Sequence, residues 1–307
     1  MISAGTIAAP ESRGARQRIA GFTARASFGT ARLAPEDLES LQSCIASGTP
    51  IYVGAVPARP AIEQVDTAAA IAAAGFDPVP HIAVRSFAGV ADLDCHLGRL
   101  VDAAGIRRVL VVGGDYAQPA GPFHAAVEAI ESGLLQARGI VEIGIAGYPD
   151  GHPWLPVADL DRALAAKIEA AAETGLAVHI VTQFGFASAT VLAWIARLRD
   201  LGIDHPVRVG VAGPATLASL MRHARICGVT ASAQDLASHA GLGGHAFGMI
   251  TPDRLLRSVA QAPAGLGDVA PHIYAFGRLG PTVRWTASVA AAHFVLGHAD
   301  GFAIEPP

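Results

Sequence analysis

Short apolar segments alternate with longer helical patterns along most of the chain, and this alternation constrains the fold more than any other sequence feature. Strands are predicted at residues 22–28, 51–56, 79–84, 109–112, 141–146, 178–182, 207–212 and 273–276. Glycines such as Gly75 and Gly105 stand where the intervening helices should end. Strands this apolar need cover on both faces, and eight strand–helix alternations are typical of a (β/α)8 TIM barrel, an α/β fold.

Two departures from the alternation set the predicted domain organisation. The first residues are polar and rich in Gly, Ser and Ala, which predicts a loose N-terminal arm at 1–17 and a single barrel domain at 18–307. Residues 230–268 interrupt the alternation with S-H-A-G-L-G-G-H and a short helix, which indicates an elaborated loop between the last two strands. A doubly wound open sheet is the alternative architecture, but no G-x-G-x-x-G follows the first strand.

Composition limits the class of protein and its partners. Of the 307 residues, 51% are hydrophobic and 16% are charged, with a net charge of −4, so no nucleic-acid or membrane partner is predicted. The three cysteines and the histidines show no metal-ligand spacing, and no serine elbow is present, so neither a metal site nor a hydrolase is favoured. The sequence shows no signal peptide and no apolar run of about 18 residues. We therefore expect a cytoplasmic protein, and a homo-oligomer is compatible with this composition.

Polar side chains follow several of the predicted strands at the point where each strand ends. The clearest case is 141–153, V-E-I-G-I-A-G-Y-P-D-G-H-P, where an apolar strand continues into a loop with Tyr, Asp and His. In a barrel the carboxyl ends of the strands meet at one mouth, where ligands bind. The residues predicted to gather there are His81, Asp115, Tyr148, His152, Gln183 and Arg278. The presence of each residue, taken singly, is explained by a structural hydrogen bond or a surface ion pair. The presence of all six at one mouth indicates a binding site.

Several motifs occur in an order that resembles the methylenetetrahydrofolate reductase family. They are V-P-H-I, V-V-G-G-D, I-A-G-Y-P-D-G-H-P, A-D-L followed by a helical K-I-E-A, I-V-T-Q-F and H-I-Y-A-F-G-R. The resemblance implies a barrel that binds FAD and a reduced folate and exchanges hydride with NADH or NADPH. It implies flavin contacts by His81, Asp115, Tyr148, His152, Asp159 and Lys167. It further implies that Asp115 acts beside the flavin and the folate, and that Gln183 and Arg278 contact the folate.

The sequence departs from the family pattern in two places. The family's first strand carries F-E-F-F-P, whose glutamate is the general acid that opens the methylene bridge; this chain has F-T-A-R-A-S-F instead. Tyr52, His81 or a water would have to replace that acid, and we predict a catalytic role for Tyr52. Ala24 or Ala26 is predicted to be the position at which a glutamate would restore it. The second departure is Gly113, which stands where the family often has an arginine before Gly-Asp.

Three functions are consistent with these observations. The first is an oxidoreductase of one-carbon metabolism that interconverts methylene- and methyltetrahydrofolate through a flavin, in a direction left open. The second is a folate-binding methyltransferase or demethylase-pathway protein on the same barrel, without redox chemistry. The third is a non-catalytic folate-binding partner. A yellow purified protein would favour the first function over the other two.

Overall fold

Eight parallel strands close into a barrel in the structure, a computed structural model that describes residues 10–57, 59–114, 116, 118–226, 249–276, 279–297 and 300–305. The barrel strands are β1 (Ser27–Thr30), β2 (Pro50–Val53), β3 (Asp77–Ala83), β4 (Arg108–Val112), β5 (Glu142–Gly147), β6 (Ala177–Thr182), β7 (Val207–Ala212) and β10 (Val269–Tyr274). Each strand pairs with the next in this order, and β10 closes the ring on β1, with Ser27 opposite His272. The predicted (β/α)8 TIM barrel is therefore confirmed.

Helices pack around the outside of the barrel and bury the outward faces of its strands. They are α1 (Pro10–Thr23), α2 (Pro35–Cys44), α3 (Ala61–Ala73), α4 (Val90–Ala104), α5 (Ala126–Glu131), α6 (Leu134–Ala137), α7 (Val157–Glu173), α8 (Ser188–Asp200), α9 (Leu217–Ile226), α10 (Asp253–Ala260) and α11 (Leu279–Ala290). Val109, Ile143 and Ile180 are completely buried between strands and helices. Burying one such side chain contributes roughly 1.5–3 kcal/mol, so this layer is the main apolar core.

The N-terminal part of the chain differs from the prediction. Helix α1 includes residues 10–17 of the predicted loose arm, while residues 1–9 lie outside the described part of the chain. Arg16 donates a hydrogen bond of 2.6 Å to the carbonyl of Ala292, which ties α1 to the end of α11. Because α1 continues to Thr23, the first strand begins at Ser27 and not at residue 22. This shift changes which first-strand residue faces the barrel mouth.

Other elements match the predicted alternation with local changes. Between β4 and β5 the chain forms two short helices, α5 and α6, because Gly133 has a left-handed φ of 74° between them. Gly105 ends α4 in the left-handed conformation that glycine adopts without strain, as predicted. No helix in the described ranges is long and apolar enough to cross a membrane.

An insertion separates β7 from β10, as the sequence predicts. It contains β8 (Ala215–Thr216), α9, β9 (Met249–Ile250) and α10, and β8 pairs antiparallel with β9. Residues 227–248 of this insertion lie outside the described residues. After α11, β11 (Phe294–Leu296) and β12 (Phe302–Ile304) form a second antiparallel pair.

Candidate functional site

A cavity of about 1550 Å³ opens at the carboxyl ends of the barrel strands. Its walls include Ala83 at the end of β3, Val112 at the end of β4, Val181 on β6 and Tyr274 at the end of β10. The volume exceeds the roughly 300–1,000 Å³ of a typical small-molecule pocket. The cavity is therefore larger than a single small ligand needs, and it lies at the end of the barrel where barrel proteins bind their ligands.

Five of the nine predicted site residues line this cavity. They are His81, Tyr148, His152, Lys167 and Gln183. They come from β3, from the loop after β5, from α7 and from the end of β6, so the closed barrel brings together side chains that are distant in sequence. Asp115 and Arg278, which were predicted to lie beside the flavin and the folate, are outside the described residues.

His81 presents an unsatisfied ring nitrogen at the cavity. Its Nε2 is buried and has no hydrogen-bond partner among the described residues. Burial lowers the pKa of this imidazole to about 4, so it is neutral near pH 7. Buried polar atoms normally have a partner, and a ligand in the cavity would supply one. The residue thus fits contact with the polar edge of a bound ring.

Lys167 brings a positive charge to the same cavity. Its side chain rises from α7, and Nζ lies 3.5 Å from the carbonyl oxygen of Ala146 at the end of β5. Burial lowers the pKa of this amine to about 8. A buried charge is costly unless a counter-charge accompanies it. An anionic ligand group would provide that counter-charge, so Lys167 fits a phosphate of a bound cofactor.

The loop after β5 forms an aromatic wall of the cavity. The rings of Tyr148 and His152 meet edge to face with centroids 5.3 Å apart, and His152 meets Trp154 in the same way at 5.4 Å. Gly151 has a φ of 80°, a left-handed conformation that lets the loop turn. Trp154 is 76% exposed at the rim, and the sequence analysis did not identify it. Edge-to-face contacts fix the orientation of these rings.

Gln64 on α3 is a second residue that the sequence analysis missed. Its Nε2 donates to the carbonyls of Val53 at 2.8 Å and His81 at 3.0 Å, which joins the ends of β2 and β3. Its Oε1 accepts a hydrogen bond of 2.9 Å from Nε2 of His96. Gln64 therefore holds the backbone of His81 in place. A glutamine within an alanine-rich helix carries no local signal of this role.

Tyr52 is buried inside the barrel and is not among the residues that line the cavity. Its hydroxyl lies 2.6 Å from Nε2 of His179, and Nδ1 of His179 lies 2.7 Å from Oε1 of Glu142. The hydrogen bond to His179 lowers the pKa of Glu142, and an ionised carboxylate only accepts. Nδ1 of His179 is then the donor, and Nε2 accepts from the Tyr52 hydroxyl. Burial raises the pKa of Tyr52 far above its usual value, so the phenol keeps its proton.

The first strand ends in small residues, and a histidine from β10 occupies the adjacent space. A Cβ at Gly29 would lie 2.9 Å from Nε2 of His272 and 3.1 Å from Cδ1 of Tyr274. Ala24 and Ala26 both precede β1, which begins at Ser27. The predicted placement of Ala24 and Ala26 on the first strand is therefore wrong, because the helix before β1 is longer than expected. Ser27 and Gly29 both face His272 on β10, and Gly29 is the one nearer the carboxyl end of the strand.

Asp159 lies in the first turn of α7 and forms an ion pair with Arg162. Its side chain is 40% exposed, and it is not among the residues that line the cavity. The structure therefore does not bring Asp159 to the other predicted site residues, and its contact with a flavin stays a prediction.

The fold and the cavity define a (β/α)8-barrel protein with a candidate small-molecule site at the carboxyl ends of its strands. A family model described as "Methylenetetrahydrofolate reductase" matches residues 61–238, more than half of the chain. The chain belongs to the methylenetetrahydrofolate reductase family, which confirms the resemblance identified from its motifs.

Two curated relatives match parts of this sequence, and one solved structure matches its fold. It is 28% identical over 110 residues to "Methylenetetrahydrofolate reductase 2" of Saccharomyces cerevisiae, covering 31% of this chain and 18% of that protein. It is 28% identical over 187 residues to "Probable methylenetetrahydrofolate reductase (NADPH)" of Caenorhabditis elegans, covering 57% of this chain and 26% of that protein. A Clostridium thermocellum protein described as binding two copies of 5-methyl-5,6,7,8-tetrahydrofolic acid has the same fold, with a TM-score of 0.53 at 10% identity, covering 86% of this chain and 93% of that chain.

Proposed function

We propose that this chain is an oxidoreductase of one-carbon metabolism that interconverts methylene- and methyltetrahydrofolate, with FAD bound in the barrel and NADH or NADPH as hydride partner. The observation that carries the proposal is the cavity of about 1550 Å³ at the strand ends, which has room for a flavin beside a folate. The names of the yeast and nematode relatives support a reductase. The description of the Clostridium thermocellum protein supports a reduced folate as the ligand.

The residues that line the cavity have the chemistry that these two ligands need. The unsatisfied Nε2 of His81 suits the polar edge of the flavin ring, and the buried amine of Lys167 suits its pyrophosphate. The Tyr148 and His152 rings form the adjoining wall. When bound, the flavin supplies the hydride acceptor and donor. Gln183 offers both a donor and an acceptor to the amide-like edge of the folate ring.

We further propose that the chain works in the oxidative direction, from methyl- to methylenetetrahydrofolate. Reduction requires a proton at a folate nitrogen, whereas oxidation releases one. The first strand, S-F-G-T, offers no acid to donate that proton. His81 is neutral near pH 7 because burial lowers its pKa to about 4, so it holds no acidic proton to donate to the folate. The oxidative direction needs no protonated side chain at this position, because its proton can leave to solvent.

The visible absorption spectrum of the purified protein tests this proposal. We expect a flavin spectrum that bleaches when methyltetrahydrofolate is added without oxygen. A colourless protein that binds methyltetrahydrofolate would instead favour the methyltransferase or demethylase-pathway function. A flavoprotein that does not bleach would contradict the oxidative direction.

Variants of the cavity wall test the placement of the flavin. Tyr148→Ala and His152→Ala should each lower flavin occupancy, because both rings line the cavity. Leu201→Ala is the comparison, since Leu201 is exposed and lies outside the cavity lining. Occupancy is measured from the ratio of flavin to protein absorbance, with circular dichroism as the check of folding. Unchanged occupancy in both aromatic variants would contradict the placement.

A further inference from the structure

Arg85 lies directly after β3 and is held against the end of β4. Its backbone N–H donates to the carbonyl of Gly113 at 3.0 Å, and its carbonyl accepts from the N–H of Ala120 at 2.8 Å. The side chain is half-buried and lines the cavity. Hydrogen bonds on both sides of the residue fix the base of this side chain, which is the arrangement that precise ligand contacts require.

The side chain of Arg85 lies in the space next to Gly113. A Cβ built on Gly113 would find one described atom within 4 Å, the Cδ of Arg85 at 3.8 Å. Gly114 differs, because its φ is 93° and a Cβ there would lie 2.9 Å from Cβ of Ala83. Glycine is thus required at 114 by the backbone, whereas at 113 the adjoining space holds the stem of Arg85.

Arg85 and Lys167 approach the ends of neighbouring strands. Arg85 is bound to Gly113 beyond β4, and Lys167 approaches Ala146 on β5. Val111 pairs with Ile145, so these two attachment points are at nearly the same level of strands about 4.8 Å apart. Both cationic residues line the same cavity, and their attachment points lie on the wall that β4 and β5 form.

We propose that Arg85 is a binding residue of this cavity whose guanidinium pairs with the pyrophosphate of the bound flavin dinucleotide, together with Lys167. This inference rests on the proposed function. A pyrophosphate carries two negative charges, which one lysine does not balance. The planar guanidinium matches phosphate oxygens with two parallel hydrogen bonds, a geometry that lysine cannot supply.

Flavin affinity of the apoprotein, measured by quenching of flavin fluorescence, tests the assignment. Arg85→Ala should weaken FAD binding by at least about tenfold, the loss typical of a charged hydrogen bond. Binding of riboflavin, which has no phosphate, should be unchanged. Arg85→Lys should fall between wild type and Arg85→Ala. Arg59→Ala is the matched control, because it removes another arginine of the same cavity lining, one that lies before α3.

A relocated arginine provides a second test. In Arg85→Ala/Gly113→Arg the new side chain starts from the neighbouring strand end, in the space that Arg85 vacates. We expect this double variant to recover most of the FAD affinity that Arg85→Ala loses. Recovery would also show that the loss comes from the missing cation and not from misfolding.

The outcomes separate this inference from the proposed function. If wild type binds neither FAD nor riboflavin, the proposed function fails and the inference fails with it. If wild type binds FAD and Arg85→Ala binds it equally well, only the inference is overturned. Equal loss of FAD and riboflavin binding would also overturn it, as would weaker binding of methyltetrahydrofolate alone, which would assign Arg85 to a folate carboxylate.

Discussion

The hydroxyl of Tyr52 on β2 lies 2.6 Å from Nε2 of His179 on β6, across the interior of the barrel. His179 is bound in turn to Glu142, the first residue of β5, at the end of the barrel opposite the cavity. The Tyr52 hydroxyl is therefore hydrogen-bonded to a pair of residues that extends away from the ligand site. This geometry favours a structural role for Tyr52 over the catalytic role predicted from the sequence.

Tyr52→Phe distinguishes these two roles. Removing the hydroxyl leaves the buried Nε2 of His179 without its donor, which should lower the free energy of unfolding by about 1–3 kcal/mol. We expect turnover to change by less than about tenfold. A general acid would lose about a hundred- to ten-thousand-fold. Urea unfolding and steady-state kinetics measure the two effects, and a large loss of turnover at unchanged stability would restore the catalytic role.

Because of Lys167, the free energy of unfolding and the FAD affinity of the apoprotein should respond to pH in opposite directions. Burial lowers its pKa to about 8, below the value of about 10.4 in an unfolded chain. Between these values the unfolded chain holds a proton that the folded protein has released, so this group makes the free energy of unfolding rise with pH. FAD affinity should instead fall as pH rises through about 8, because the ammonium loses its charge.

Lys167→Met is the control for this pH dependence. Methionine retains much of the apolar stem without a titrating group, so both responses should disappear. Fluorescence titration with FAD and urea unfolding on either side of about pH 8 measure them. An FAD affinity that falls equally with pH in Lys167→Met would assign the effect to another group.

Substitutions at Gly29 and His272 should have coupled effects on the free energy of unfolding, because the two residues adjoin the same space. Gly29→Ala places a methyl group 2.9 Å from Nε2 of His272, and such overpacking costs about 1–3 kcal/mol. In a His272→Ala background the same substitution should cost much less, which a double-mutant cycle of urea unfolding measures. Gly54→Ala is the matched control, since its nearest contact would be an ordinary 3.6 Å. Costs that simply add would show that the two sites are independent.

Restoring an acid at Gly29 should accelerate reduction. We expect Gly29→Glu/His272→Ala to reduce methylenetetrahydrofolate faster than His272→Ala alone, because the carboxyl group would provide the missing proton donor. Gly29→Gln/His272→Ala has nearly the same volume without the acid and should show no such gain. Stopped-flow reoxidation of the reduced flavin by methylenetetrahydrofolate measures the rate. Equal rates in the glutamate and glutamine variants would contradict this assignment of the acid position.

The barrel was predictable from the sequence because its signals are local. Apolar strands that need cover on both faces, separated by helices that end in glycines such as Gly105, specify a closed parallel barrel. Tyr148, His152 and Gln183 were identified for the same reason, since each follows a strand whose carboxyl end must face the mouth. The bounds of the first strand were not predictable, because tertiary packing of α1 decides where that helix ends.

The sequence by itself thus determined the fold class, the family and the end of the barrel that holds the site. Only the tertiary structure decided which side chains meet inside it. Tyr52 and His179 are 127 residues apart, and their contact exists only once the ring of strands has closed in register. Two other contacts likewise depend on how helices and loops dock on neighbouring strands. They are the hydrogen bonds of Gln64 to the His81 carbonyl and of the Arg85 N–H to the Gly113 carbonyl. Local periodicity specifies the elements, whereas long-range register and packing specify the contacts between them.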